Sequence, residues 1–142
     1  MKIYLCAPYS APTAEEREAR FIQANKIAAG LMEQGHIVFS PISHSHPIAH
    51  HIGNHLSHDF WLKQDFAFME WADWLAVLCT DGWTKSKGIA LEIAEWERIG
   101  KTAPIIYIEV VEGVVDDSLR QKRMTVNGPG SDDPGPLQGR KT

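Results

Sequence analysis

Cysteine is scarce: Cys6 and Cys79 are the only two in 142 residues, and both stand inside apolar runs. That excludes a disulfide-stapled framework and leaves two reduced thiols as core residues. Long apolar runs are missing as well, and nothing approaches the roughly eighteen residues of a membrane-spanning helix. The opening segment MKIYLCAPYS lacks the apolar stretch of a secretory leader, so a cytoplasmic protein is expected. Positive charge is not in excess. A formal net charge of −4 gives no footprint for a nucleic-acid polymer or an acidic membrane. Internal repeats are absent too. What remains is a chain with globular proportions, 44% hydrophobic and 23% charged, long enough for one domain with its own core. Histidine is the one residue type in unusual local supply, with six between His44 and His58.

Four short apolar runs, at 3–7, 36–39, 74–79 and 104–108, read as buried strands. Between them lie three helical stretches. The first, 13–34, opens on a capping box of Thr13 and Glu16 and carries an apolar stripe from Ala24 to Met32. The second is 59–71. The third, 86–99, spaces Ile89, Ile93 and Trp96 three or four apart and stops before Gly100. Residues 41–57 read as a polar, His-rich loop, and 117–124 as a short charged helix. The last sixteen residues hold four Gly and three Pro, which predicts a mobile tail. Strand–helix alternation predicts a doubly wound, flavodoxin-like α/β fold with a parallel sheet of four to five strands and helices on both faces. The expected division is a domain over 1–110 and a C-terminal extension over 111–142, flexible from about 127.

Ligands of such sheets bind at the carboxyl ends of the strands. That rim receives Ala7, Pro8 and Tyr9 after the first strand, the histidine segment after the second, and 80–88 after the third. The sharpest pattern is Asp81-Gly82-Trp83-Thr84-Lys85-Ser86-Lys87-Gly88, followed by Glu92. A helix opening at Ser86 offers free N–H groups and partial positive charge, with Gly88 allowing close approach, which suits a phosphate. A plain N-cap serine and a surface carboxylate are the simpler alternative. Against it, Glu92 lies between Leu91 and Ile93, where a carboxylate needs a partner or a use. Asp65, beside Phe66, supplies a second carboxylate to the same rim, and glycosidic cleavage uses such a pair.

His44-x-His46 and the spacings around His51, His55 and His58 invite a metal reading, but they complete no ligand set and no cysteine joins them. The expectation is no metal and no cofactor, with His44 and His46 facing the pocket as hydrogen-bonding groups. Trp61, Trp71, Trp74 and Trp96 read as core or subunit-contact residues. Trp83, in a loop, is placed to stack on a base or to close the pocket.

The segments Ile3-Tyr4-Leu5-Cys6-Ala7-Pro8-Tyr9 and Gly35-His36-Ile37-Val38-Phe39-Ser40-Pro41, then Asp65, Ala72-Asp73, Ser86-x-Gly88-x3-Glu92 and Gly100-Lys101, resemble the nucleoside 2-deoxyribosyltransferase superfamily. Within it the chain is most similar to the DUF1937-type branch, over residues 1 to about 108. The resemblance implies cleavage of an N-glycosidic bond through a covalent glutamyl-sugar intermediate. Glu92 matches the nucleophile, and Asp65 the aspartate that orients sugar and nucleophile. Tyr9 matches a pocket aromatic able to hold Glu92. Ser86 stands where transferases of free nucleosides carry an aspartate and the monophosphate hydrolases a serine. The implied substrate is therefore a nucleoside 5′-monophosphate or related (deoxy)ribosyl compound, and the implied assembly a homodimer or larger. Two rival expectations stand beside this one: a non-catalytic nucleotide-binding or sensing module, and a His-loop metal-binding protein.

Overall fold

The computed structural model describes residues 1–53 and 56–110, together with the backbone of 121–127. The apolar runs form β1 (Lys2–Cys6), β2 (Ile37–Phe39), β3 (Trp74–Cys79) and β4 (Ile105–Val110). Between them run α1 (Ala14–Glu33), α2 (Pro41–Ala49), α3 (His58–Met69) and α4 (Lys87–Arg98), and β5 (Gln121–Asn127) closes the described chain. A side-chain oxygen caps each helix: Thr13 for α1, Ser40 for α2, Ser57 for α3 and Ser86 for α4.

The sheet order is β2-β1-β3-β4-β5. The first four strands pair in parallel, in the flavodoxin-like arrangement, with Leu5 beside Ala76 and Val77 beside Tyr107. The chain leaves β1 to one side for β2 and returns to its other side as β3. Between β1 and β3 lies the switch in strand order, where a crevice opens at the carboxyl ends.

Successive residues of β1 point to opposite faces and build two cores. Ile3 and Leu5 pack with Ala24, Ile27 and Leu31 of α1 and Ile42 of α2. Tyr4 and Cys6 pack on the other face with Met69 of α3 and with Ile89 and Trp96 of α4. Fully burying one such aliphatic side chain contributes about 1.5–3 kcal/mol. The two layers hold the rim segments over β1 and β3.

Three expectations need correction or restriction. Residues 41–49 are helix α2, not loop: Ser40 accepts the Ser43 N–H at 3.3 Å, and Pro41 opens the helix where no N–H is needed. Residues 121–124 belong to β5, not to a charged helix, and β5 runs antiparallel to β4. The ten residues between the two strands suit an antiparallel return, since a parallel crossover takes about a dozen or more. The expected extension and mobile tail fall largely outside the described residues, as does His55. Among the described residues no helix is long and apolar enough to cross a membrane.

Candidate active site

A cleft of about 940 Å³ opens over the carboxyl ends of β1 and β3. Its floor is Leu5 and Ala7. One wall comes from α2 (Ile42, Ser45, His46, Ala49) and another from α3 (His58, Trp61, Leu62, Asp65). The third comes from Gly82, Lys85 and the start of α4 with its cap (Ser86, Lys87, Gly88, Glu92). The α2 and α3 walls are each a single face at spacings of three and four, so helix period decides which of their residues reach the cleft.

Glu92 projects inward because Ile89 and Trp96, three before and four after it on α4, anchor that face in the core. The carboxylate is buried at 7% exposure. Burial pushes it up to about 8; the Tyr4 phenol and Cys6 thiol nearby favour its charged form, and Asp65 opposes it. Burial alone pushes Asp65 up to about 7. Glu92 Oε2 and Asp65 Oδ1 are both buried atoms without a hydrogen-bond partner within the chain. Two carboxyl groups thus reach one cleft from different helices, close enough to influence each other, with open acceptor positions. A sugar hydroxyl or an electron-poor carbon would satisfy them.

At the mouth of the cleft, Ser86 accepts the Ile89 N–H at 3.3 Å, and its backbone carbonyl accepts from Ala90. A Cβ added at Gly88 would meet only the Ser86 hydroxyl, at 3.8 Å, so packing does not require glycine there. Lys85 and Lys87 flank the turn. Arg20 joins them from α1, donating to the Ser10 carbonyl at 2.7 Å. Among the described residues none of these three cations is engaged in an ion pair. The mouth is therefore an anion-attracting rim, and the interior is mostly apolar with two carboxyl groups.

Tyr9 lines the opposite side. Its hydroxyl bonds His46 Nδ1 at 2.6 Å, and His46 Nε2 bonds Glu18 Oε2 at 2.6 Å. The expectation that Tyr9 holds Glu92 is corrected. Tyr9 packs with the α1 and α2 layer, whereas Glu92 lies with Tyr4 and Cys6 on the other face of β1. Of the other rim residues, Ala7, Ser86, Gly88 and His46 meet in the cleft. Pro8, Asp81, Trp83 and His44 do not line it. Pro8 is buried between Ala7 and Tyr9. Asp81 is exposed in the turn beyond β3. Trp83 starts a single 3-10 turn after Gly82 and packs on Tyr107, ring centroids 5.6 Å apart. His44 sits off the cleft face of α2, against Phe39 and Phe68.

Sequence reading missed Tyr4, Cys6, Glu18, Arg20 and Trp61. Trp61 was recoverable, standing four residues before Asp65 on one helix face, and so was Tyr4, through the alternation of β1. Among the described residues no three His, Cys, Asp or Glu side chains converge as a metal site needs.

The family model of DUF1937, a domain of unknown function, matches residues 1–109. The chain belongs to the DUF1937 family. No curated protein matches its sequence. Among solved structures it is similar to the 2-deoxyribosyltransferase of Bacillus psychrosaccharolyticus, with 24% identity and a TM-score of 0.56. That match covers 82% of this chain and 77% of the other. This likeness establishes a shared fold for the DUF1937 chain.

Proposed function

We propose that this DUF1937 protein cleaves the N-glycosidic bond of a nucleoside 5′-monophosphate or a related (deoxy)ribosyl compound. In this reading Glu92 attacks the anomeric carbon, the C–N bond breaks, and the base departs with its electron pair. Asp65 orients the sugar and bears on the charge of Glu92. Ser86, Gly88 and the N–H groups opening α4 hold the phosphate, with Arg20, Lys85 and Lys87 adding attraction. Water or a second base then takes the sugar from Glu92, giving hydrolysis or deoxyribosyl transfer. The proposal includes a cytoplasmic, metal-independent homodimer or larger homo-oligomer, and a domain that ends near residue 110.

One observation carries it: a buried glutamate with an unpartnered oxygen opens, beside a second carboxyl group, into a cleft with a cationic mouth. Such a carboxyl contributes nothing to folding that glutamine would not, and perturbed carboxyl pairs mark sites of chemistry. The deciding experiment is chromatographic. The purified protein is incubated with a panel of ribo- and deoxyribonucleotides and nucleosides, with and without acceptor base, and free base is measured. Release that disappears in Glu92→Ala, with the fold retained, is expected. No release from any member by the wild-type protein would sink the proposal.

A second reading, a nucleotide sensor, is favoured by one fact. A carboxyl group pushed to about 8 is mostly protonated at neutral pH and then acts as a hydrogen-bond donor. Thermal stabilisation by a nucleotide that is never cleaved, and that persists in Glu92→Gln, would select it.

A further inference from the structure

The cleft contains a second chemical array that the glutamate reading does not use. Tyr9, His46 and Glu18 come from the segment after β1, from α2 and from α1, and they form a continuous chain. The phenol oxygen lies 2.6 Å from Nδ1, and Nε2 lies 2.6 Å from the carboxylate. The imidazole is held from all sides. Phe21 stacks on it with centroids 4.3 Å apart, Tyr9 meets it edge-on at 84°, and His50 packs against it at 4.9 Å. His46 is only 6% exposed, yet both it and Tyr9 line the cleft. Glu18 stands outside the cleft on the exposed side of α1.

The polarity of this chain is set by its far end. Nε2 faces a carboxylate, so it keeps its hydrogen whether the ring is neutral or charged. Every change of protonation therefore falls on Nδ1, the nitrogen that faces Tyr9. A neutral ring accepts the phenolic hydrogen and turns the oxygen's lone pairs toward the cleft. A charged ring donates to the phenol oxygen and frees the phenolic hydrogen for the cleft. Burial and Glu18 raise the Tyr9 phenol above its ordinary range while Arg17 lowers it, so the phenol keeps its hydrogen until a transfer removes it. Arg17 and Glu18 from α1 and His46 from α2 are the titratable and charged groups that face it, with His50, just after α2, against the imidazole.

We propose, resting on the glycosidic reading above, that Tyr9 is the catalytic acid and base of this cleft and that His46 and Glu18 are the residues that position and recharge it. As the base leaves, a Glu92 oxygen bonds to the anomeric carbon and the C–N bond breaks, its electron pair passing to the base nitrogen. That nitrogen takes the Tyr9 proton, Tyr9 takes the proton of His46 Nδ1, and the imidazolium becomes neutral. In the second half, the oxygen of water or the nitrogen of an acceptor base attacks the same carbon. The C–O bond to Glu92 breaks and returns its pair to the carboxylate. The attacking group gives its proton to Tyr9, and the Tyr9 proton passes to Nδ1, which restores the starting state.

The test compares two leaving groups. One substrate is the monophosphate that the wild-type protein cleaves fastest; the other is p-nitrophenyl 2-deoxyriboside 5-phosphate, whose leaving group departs as a stable anion. Tyr9→Phe should lose about 10²- to 10⁴-fold in kcat on the nucleotide, and less than about tenfold in p-nitrophenolate release. Glu18→Gln, at an exposed position, should lose at least about tenfold in kcat on the nucleotide with KM unchanged. Equal losses on both substrates, or none on the nucleotide, would overturn the relay; a Glu92→Ala loss would leave the glycosidic reading standing. If the wild-type protein releases no base, the glycosidic reading fails first, and the wiring is still read without turnover. In ¹⁵N spectra of the neutral His46 ring, hydrogen on Nε2 is expected, with weakened preference in Glu18→Gln. Hydrogen on Nδ1 instead would overturn it.

Discussion

The Tyr4 hydroxyl and the Glu92 carboxylate occupy one buried site beneath the cleft, and each keeps a polar atom with no hydrogen-bond partner. Burial holds the Tyr4 phenol far above its usual range, with the Glu92 charge adding to it, so the phenol stays protonated. It is a protonated group beside an acid that burial disfavours ionising. The pair sets the charge of the candidate nucleophile, and four predictions follow from it and from the rim.

Replacing Glu92 should stabilise the fold. Its folded value of about 8 exceeds the ordinary 4.5, so between those values the folded chain keeps a proton that the unfolded chain releases. Stability therefore falls as pH rises through that window, by about 1.4 kcal/mol per pH unit at most. Glu92→Gln removes this dependence. Its Tm should exceed that of wild type by several degrees at pH 8 and by little at pH 5, as calorimetry would show. A Tm gain independent of pH would refute the assignment.

Cleavage of the p-nitrophenyl substrate, whose leaving group needs no proton from Tyr9, should climb with pH. The attacking carboxylate must be ionised, so p-nitrophenolate release should rise as pH approaches about 8. The Tyr4 phenol beside Glu92 favours its charged form, so Tyr4→Phe should move the rise to more alkaline pH. The fold should hold, because the lost hydroxyl has no partner and the ring is retained. A pH–rate profile for the two proteins tests both directions.

Gly88→Ala should separate folding from binding. The new methyl meets only the Ser86 hydroxyl at ordinary contact distance, and alanine favours a helix by up to about 1 kcal/mol. Melting should therefore be unchanged or slightly raised. KM for the phosphorylated substrate should rise about tenfold or more if backbone and phosphate meet there. An unchanged KM would move the phosphate elsewhere.

Arg20→Ala should discriminate between substrates. The guanidinium lines the cleft mouth while tying down the Ser10 carbonyl. Its loss should raise KM for a nucleoside monophosphate about 10- to 100-fold, by the worth of a charge-assisted hydrogen bond. KM for the unphosphorylated nucleoside should change far less. Equal effects on both would make Arg20 a brace for the loop after β1.

The strands were legible because each is a short apolar run bounded by turn residues, and α1 and α4 because Thr13 and Ser86 announce them. Helix α2 was hidden by its own composition. Histidine, serine and proline read as loop, although Ser40-Pro41 is a helix start. β5 was hidden because Gln121-Lys122-Arg123 has the polarity of a surface helix, and only the open side of β4 makes it a strand. Glu92 was visible as a charge between two aliphatics. The Tyr9–His46–Glu18 chain was not visible, since its links span 37 and 28 residues and depend on how α1 and α2 pack.

The β2 border of the sheet is three residues long. A border so short offers few free backbone groups to an incoming strand. Growth of copies into a continuous ribbon through β2 is thereby disfavoured.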